Sequence, residues 1–210
     1  MLAAAVALRQ VTAHVLIVLR PGRPALREVL AQVPGCELIE TTDAARGMGA
    51  SLAAAARYLL AWDVDANAKG DASSRDNNGG ANKDVDADAN ADANADANAD
   101  ANADANADGS ANVNAANPHG VLVALGDMPW IAPRTLRAVC AAGLAHPVVA
   151  PVCDGRRGHP VAFAWDLLPE LAQLDGDTGA RELLRRHGVH MLPCDDTGVL
   201  RDIDTVADLG

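Results

Sequence analysis

Val121-Leu122-Val123-Ala124-Leu125-Gly126-Asp127-Met128-Pro129 is the stretch whose reading decides the fold. A short apolar run rich in Val and Leu reads as a buried strand. Gly126 lets the backbone turn, Asp127 sits just beyond the strand's end, and Pro129 stops any continuation. In open α/β sheets ligands bind beyond the carboxyl ends of the strands. A carboxylate at that point is suited to hold Mg²⁺ against phosphates. The same residues also read as a plain strand-to-helix loop whose Asp caps a neighbour.

Outward from this strand, the downstream chain alternates between two periods. Pro133–Gly143 reads as a helix with Pro at its start, Val148–Ala150 as a strand, Pro160–Ala164 as a strand and Asp166–Leu174 as a helix. Asp177–His187 has an acidic start and a basic end, which suits a helix dipole, and Gly188 ends it. Val189–Leu192 is a last strand, and Thr205–Leu209 begins a short helix. Upstream, Leu2–Gln10 has helical composition, His14–Leu19 reads as a buried strand, Pro24–Gln32 as a helix and Cys36–Ile39 as a strand. Gly47–Ser51 reads as a loop before an Ala-rich helix, Leu52–Ala61. Alternating strands and helices predict an α/β fold with a mostly parallel sheet covered on both faces.

Residues 63–117 differ in kind. They hold twelve aspartates and no glutamate against Lys69, Arg75 and Lys83, a net −9 out of the chain's −11. Five copies of Ala-Asp-Ala-Asn run from Ala87 to Asn106. Such a segment buries little and repels itself, so it is expected to be a disordered insert in one domain formed by residues 1–62 and 118–210. Asp104-Ala105-Asn106-Ala107-Asp108-Gly109 matches the opening of a calcium loop, but the twelfth position is Ala115 and no helix flanks it. The acidity belongs to the insert, and the chain lacks the basic footprint of a nucleic-acid binder. No apolar run approaches the roughly 20 residues of a membrane span. Met1–Leu8 lacks the basic start of a signal peptide, and the default expectation is the cytoplasm. Cys36, Cys140, Cys153 and Cys194 form no CxxC pair and read as buried, reduced packing residues.

The chain has no GxxxxGK[ST] phosphate loop. Gly47-Met48-Gly49 fails the dinucleotide fingerprint at Leu52, and Gly49-Ala50-Ser51-Leu52-Ala53 lacks the last glycine of a nucleophile elbow. What remains is a series of polar motifs at loops: Gly47–Ser51, Gly126–Pro129, Arg156-Arg157-Gly158-His159-Pro160, Gly176-Asp177-Thr178-Gly179-Ala180-Arg181 and Asp202-Ile203-Asp204-Thr205. Each has a plain structural explanation on its own. Ser51 or Asp177 would cap a helix, His159 would be a loop histidine, and Asp202 and Asp204 would be turn residues.

Their order and wording say more. GDMPWIAPRTL (126–136), APVCDGRRGHPVAF (150–163), LLPELAQLDGDTGARELLRRH (167–187), DIDTVADL (202–209), VLIVLRPG (15–22) and RGMGASLAAA (46–55) together resemble the molybdenum cofactor cytidylyltransferase group of the MobA-like nucleotidyltransferase family. The resemblance covers everything but the insert. It implies a Rossmann-like three-layer α/β/α domain that moves CMP from CTP to a molybdopterin-type phosphate and releases pyrophosphate, with Mg²⁺. It implies that Asp127 binds metal, with Asp204 as the second carboxylate and Asp202 as its competitor. Gly47, Gly49 and Ser51 match the nucleotide loop. Arg157, His159, Asp177 and Arg181 fall where the pterin phosphate would sit, with backbone N–H groups near Thr178–Ala180 facing a phosphate. A molybdoenzyme or its chaperone is an implied partner.

The family opens with a strand and a loop of the type LAAGxSxRMG followed by Lys, and this chain has none. Leu2-Ala3-Ala4-Ala5 lacks the Gly, the Arg-Met-Gly and the Lys. A missing central first strand predicts a gap in the sheet and little transferase activity in these 210 residues. Met1 is then internal to a longer protein, or the chain is a fragment. Two competing expectations are a non-catalytic molybdenum-cofactor binding or chaperone-like protein, and a calcium-responsive linker.

Overall fold

β3 (Gly120–Val123) ends short of Asp127, and a loop carries the chain from it into α4 (Pro133–Gly143). The computed structural model describes residues 1–72, 119–177, 179–205 and 208. The Ala-Asp-Ala-Asn repeats, the calcium-loop match, Thr178 and most of the expected final helix lie outside them. Chain order before β3 is α1 (Leu2–Arg9), β1 (Val15–Leu19), α2 (Pro24–Ala31), β2 (Cys36–Glu40) and α3 (Met48–Ala72). After α4 come β4 (Val148–Cys153), β5 (Arg156–Arg157), β6 (Val161–Ala164), α5 (Leu168–Leu171), α6 (Arg181–His187) and β7 (His190–Pro193). Short 3-10 turns occupy Thr42–Arg46, Trp165–Leu167 and Thr197–Leu200. Among the described residues no helix is long and apolar enough to cross a membrane.

The period-2 pattern of the strands builds three layers. Val148 and Ala150 of β4, with Val161 and Phe163 of β6, pack on Ala56 of α3, Leu168 and Leu171 of α5 and Leu183 of α6. The alternate residues Val149, Ala162, Leu122 and Leu192 pack on Val139 of α4. Successive strand side chains point to opposite faces, so one strand serves both helical layers. The fully buried Ala53 and the nearly buried Ala56 let α3 approach the sheet closely.

Parallel pairing holds for β1 with β2 and for β4 with β7. β6 runs antiparallel between β3 and β4, which departs from the largely parallel sheet expected. A tight turn causes this. Asp154 (φ 51) and Gly155 (φ 71) reverse the chain after β4, so β5 and β6 return along one side of it while β7 takes the other.

The sheet is interrupted as expected. β1–β2 and the five-stranded sheet share no ladder among the described residues. α1 spans the break. Ala5 packs with Leu19 and Leu30 on one side. Ala7 and Leu8, with Val11 just beyond the helix, pack on Met128, Ile131 and Leu136 on the other.

Three helices differ from their sequence expectation. α6 begins at Arg181 rather than Asp177, because Gly176 (φ 64) and Gly179 (φ 55) adopt left-handed backbone that a right-handed helix does not tolerate. The helix read over Asp166–Leu174 is a 3-10 turn followed by only Leu168–Leu171. α3 begins at Met48, so Gly49 and Ser51 lie in its first turn rather than in a loop, and it continues to Ala72, past the expected start of the insert.

Candidate active site

The sequence motifs collect in two groups. The first surrounds the end of β3. Ile203 N–H donates to the Asp127 carbonyl at 2.9 Å, which brings the Asp202-Ile203-Asp204 segment against the Gly126–Pro129 loop. Arg201, just before it, stacks its guanidinium 3.9 Å from the Trp130 ring centroid. Gly198 packs so closely on the Trp130 carbonyl that a Cβ would collide with it. Asp127, Asp202 and Asp204 are exposed, and among the described residues none of their side chains forms an ion pair.

His159 reaches the same place from the other flank. Its N–H donates to the Val199 carbonyl at 2.9 Å, and Gly158 leaves no room for a Cβ against Val199. Burial and the nearby Arg157 guanidinium hold the His159 imidazole below the ordinary histidine range. A backbone hydrogen bond at Val123 and the Asp127 carboxylate pull weakly the other way. The ring is therefore neutral at pH 7, and its buried Nδ1 has no partner among the described residues. Asp127, Arg157, His159 and Asp204 are thus one neighbourhood.

The second group joins residues assigned by sequence to separate subsites. Gly49 N–H donates to the Gly176 carbonyl at 2.8 Å. Gly47 has φ 124 and ψ −177, and a Cβ there would collide with the Asp177 carboxylate and sit 2.7 Å from the Gly176 backbone. A Cβ on Gly49 would lie 2.8 Å from the Asp175 and Gly176 carbonyls. The two glycines are required because one backbone lies directly on another. Arg46 donates through Nε at 3.1 Å and Nη2 at 2.6 Å to Asp175. That contact, with Gly176 N–H, holds the Asp175 carboxyl below the usual range. Ser51 Oγ donates back to the Gly47 carbonyl at 3.1 Å. Asp177 stands one turn before α6, beside Gly47, and does not cap that helix. Arg181 is exposed at the helix start. Among the described residues no hydrogen bond or ion pair links the two groups directly.

Sequence reasoning missed Asp196. Its carboxylate is nearly buried and accepts from Ala132 N–H at 2.8 Å, Thr135 Oγ1 at 2.6 Å and Gly198 N–H at 3.0 Å. α4 has no side-chain cap of its own at Ala132. Asp196 supplies one from 64 residues away and thereby anchors the loop that carries Asp127. No local pattern announces such a partner.

The donor set around Asp127 suits a hard divalent cation. Among the described residues no three His, Cys, Asp or Glu side chains come together as a metal site, so a closed protein cage is excluded there. Mg²⁺ is commonly held by one or two carboxylates, with the substrate's phosphates and water completing its shell. Asp127 and Asp204 are exposed carboxylates without an ion-pair partner among the described residues.

The family model for the MobA-like NTP transferase domain matches residues 1–191. The chain belongs to this family. Membership implies a nucleoside triphosphate substrate and nucleotidyl transfer in general, a reaction in which divalent metals serve. No curated relative matches the chain significantly. Among solved structures, Rv0371c from Mycobacterium tuberculosis H37Rv in complex with manganese aligns at TM-score 0.59 and 22% identity, over 100% of this chain and 83% of that one. A second structure of Rv0371c gives 0.58 and 22%, over 100% and 82%. The Rv0371c homolog from Mycobacterium sp. strain JC1 gives 0.60 and 22%, over 99% and 78%. At this identity the likeness is one of fold, and the fold is that of an α/β nucleotidyltransferase.

Proposed function

We propose that this MobA-like protein is a cytidylyltransferase that joins CMP from CTP to the terminal phosphate of a molybdopterin-type acceptor. One observation supports the reading: the Ile203–Asp127 backbone bond, which brings the Asp202-Ile203-Asp204 segment against the loop that follows β3. Asp127 and Asp204 would hold Mg²⁺, which when bound would screen the phosphate charges. An acceptor phosphate oxygen attacks the α-phosphorus, the bond to the β-phosphate breaks, and pyrophosphate leaves. Arg157 offers a forked contact to the acceptor phosphate. Neutral His159 beside it adds no second positive charge. Gly47, Gly49 and Ser51 lie on the nucleotide side, and Asp177 and Arg181 on the acceptor side. The clamp between Gly47–Gly49 and Gly176–Asp177 keeps the two sides in register. Such catalysis rests on positioning and electrostatics.

The test is pyrophosphate release from this chain with Mg²⁺, a molybdopterin acceptor and either CTP or GTP. The expected result is pyrophosphate release selective for CTP. Asp127→Ala is expected to cost about 100-fold or more, because metal-borne charge stabilisation is worth several kcal/mol. GTP used as well as CTP would overturn the choice of base. Acceptor binding without release from either nucleotide would favour the second reading, a non-catalytic cofactor-binding protein.

A further inference from the structure

Cys153 and Cys194 are far apart in sequence and carry no shared motif, yet the fold makes them neighbours. The parallel ladder between β4 and β7 pairs Val149 with His190, Ala150 with Met191, Pro151 with Leu192 and Val152 with Pro193. The next rung in that register is Cys153 with Cys194. Cys194 N–H donates to the Val152 carbonyl at 2.9 Å, so the pairing continues to this rung. Paired residues of a parallel ladder point to the same face, and both cysteines pack in one apolar cluster with Met128, Ile131, Leu136 and Val199. Neighbouring strands lie about 4.8 Å apart, inside the Cα separation of roughly 4.4–6.8 Å that a disulfide spans. Both thiols are free.

We infer that Cys153 and Cys194 form a dithiol site that a peroxide converts reversibly to a disulfide. The two cysteines divide the chemistry by their surroundings. Cys194 is half-buried and reachable, whereas Cys153 is 3% exposed. Burial, then the Asp154 carboxylate and the Cys194 sulfur, hold the Cys153 thiol above its ordinary range and keep it protonated. Cys194 therefore reacts first. Its thiolate attacks the peroxide O–O bond, giving a sulfenic acid and one hydroxide that takes up a proton to become water. Cys153 sulfur then attacks the Cys194 sulfur, the S–O bond breaks, and the second oxygen leaves as water with the Cys153 proton. Two thiols and one hydrogen peroxide become one disulfide and two waters.

The position gives the bond a structural consequence. Cys153 immediately precedes the Asp154-Gly155 turn that leads to Arg157 and His159. Cys194 immediately precedes Asp195 and Asp196, whose carboxylate anchors the Asp127 loop. A disulfide would tie the two flanks of the β3 end together directly beneath them.

The experiment treats the purified full chain with hydrogen peroxide, then maps peptides without reduction. A Cys153–Cys194 linked peptide is expected, with free thiols in the denatured protein falling from four to two. Dithiothreitol should restore all four. Hydrogen exchange should slow in 154–159 and 195–200 of the oxidised form. Cys194→Ser should abolish the crosslink while leaving Cys36 and Cys140 reduced. Cys153→Ala, which avoids a buried hydroxyl, should leave Cys194 to oxidise without forming a disulfide. Loss of thiols without a Cys153–Cys194 peptide, a bond to Cys36 or Cys140 instead, or four unchanged thiols would overturn the inference. These readouts are independent of nucleotidyl transfer, so its failure would not touch them.

Discussion

Asp196 shows how much a single buried side chain organises here. It answers three donors at once, one at the N-cap of α4 and one on its first turn. Asp196→Ala would leave Ala132 N–H and the nearly buried Thr135 hydroxyl without an acceptor. Unsatisfied buried donors cost about 1–3 kcal/mol each, and relaxation recovers part of that. A loss of roughly 2–3 kcal/mol in urea denaturation is the expected outcome. Asp196→Asn keeps an acceptor oxygen and should lose less. Asp127 is the contrast: it is exposed, so its substitution should alter activity while leaving the denaturation midpoint unchanged. Both residues are visible in the sequence as acids near loops. Burial alone separates the structural carboxylate from the candidate catalytic one.

At the scale of elements, the contact between the start of α3 and the Asp175–Asp177 turn is made mainly by backbone. Gly47→Ala would force a side chain into a φ, ψ region nearly reserved for glycine and against the Asp177 carboxylate. The expected destabilisation is about 2 kcal/mol, read by thermal or chemical denaturation. Arg46→Ala removes the ion pair to Asp175, but Arg46 is 56% exposed and its partner 67%. Exposed pairs contribute little, so its effect on the midpoint should be much smaller than that of Gly47→Ala. The reverse order would show that the ion pair, not the close backbone approach, holds the turn. Helix composition marks α4, and it marks the middle of α3 without its first turn or its continuation to Ala72. The starts of α3 and α6 were misread, because Gly176 and Gly179 act through left-handed conformations and α3 gains a turn through its contact with Gly176. A glycine's φ is set by what surrounds it.

For the whole molecule, stability should depend on pH through groups on both flanks of the candidate site. His159 is held below its ordinary value of 6.5, so the unfolded chain binds that proton more readily than the folded one. Stability from this group is present above about pH 6.5 and declines as pH falls below it. Asp175, Glu182 and Asp208 have carboxyls held below their ordinary range by Arg46, Arg185 and Thr205 respectively. Their contribution is present above the unfolded carboxyl pKa and is lost only as pH falls through the lower folded values. Two acid phases should therefore appear in a denaturation series, and His159→Asn should remove the one nearer neutrality. A phase near neutrality that persists in this variant would show that His159 is not its source.

Local physics accounts for what could be read along the chain. Apolar periodicity marks β1, β3, β4 and α4 because each strand or helix must bury one face. Pro at a helix start, Gly at a helix end and the turn after β3 act within a few residues of one another. The resemblance between motifs led to the family because the wording of GDMP, RGHPV, GDxGAR and DIDT is carried in short segments. Other features depend on residues that meet only after the chain has folded. Arg46 finds Asp175 across 129 positions, and Asp196 finds Ala132 across 64. Cys153 finds Cys194 only through the register of β4 with β7, and α1 lies between two halves of a broken sheet. Such contacts depend on which strand pairs with which and in what register. Strand pairing is a free-energy minimum of the whole molecule, and no window of neighbouring residues contains it.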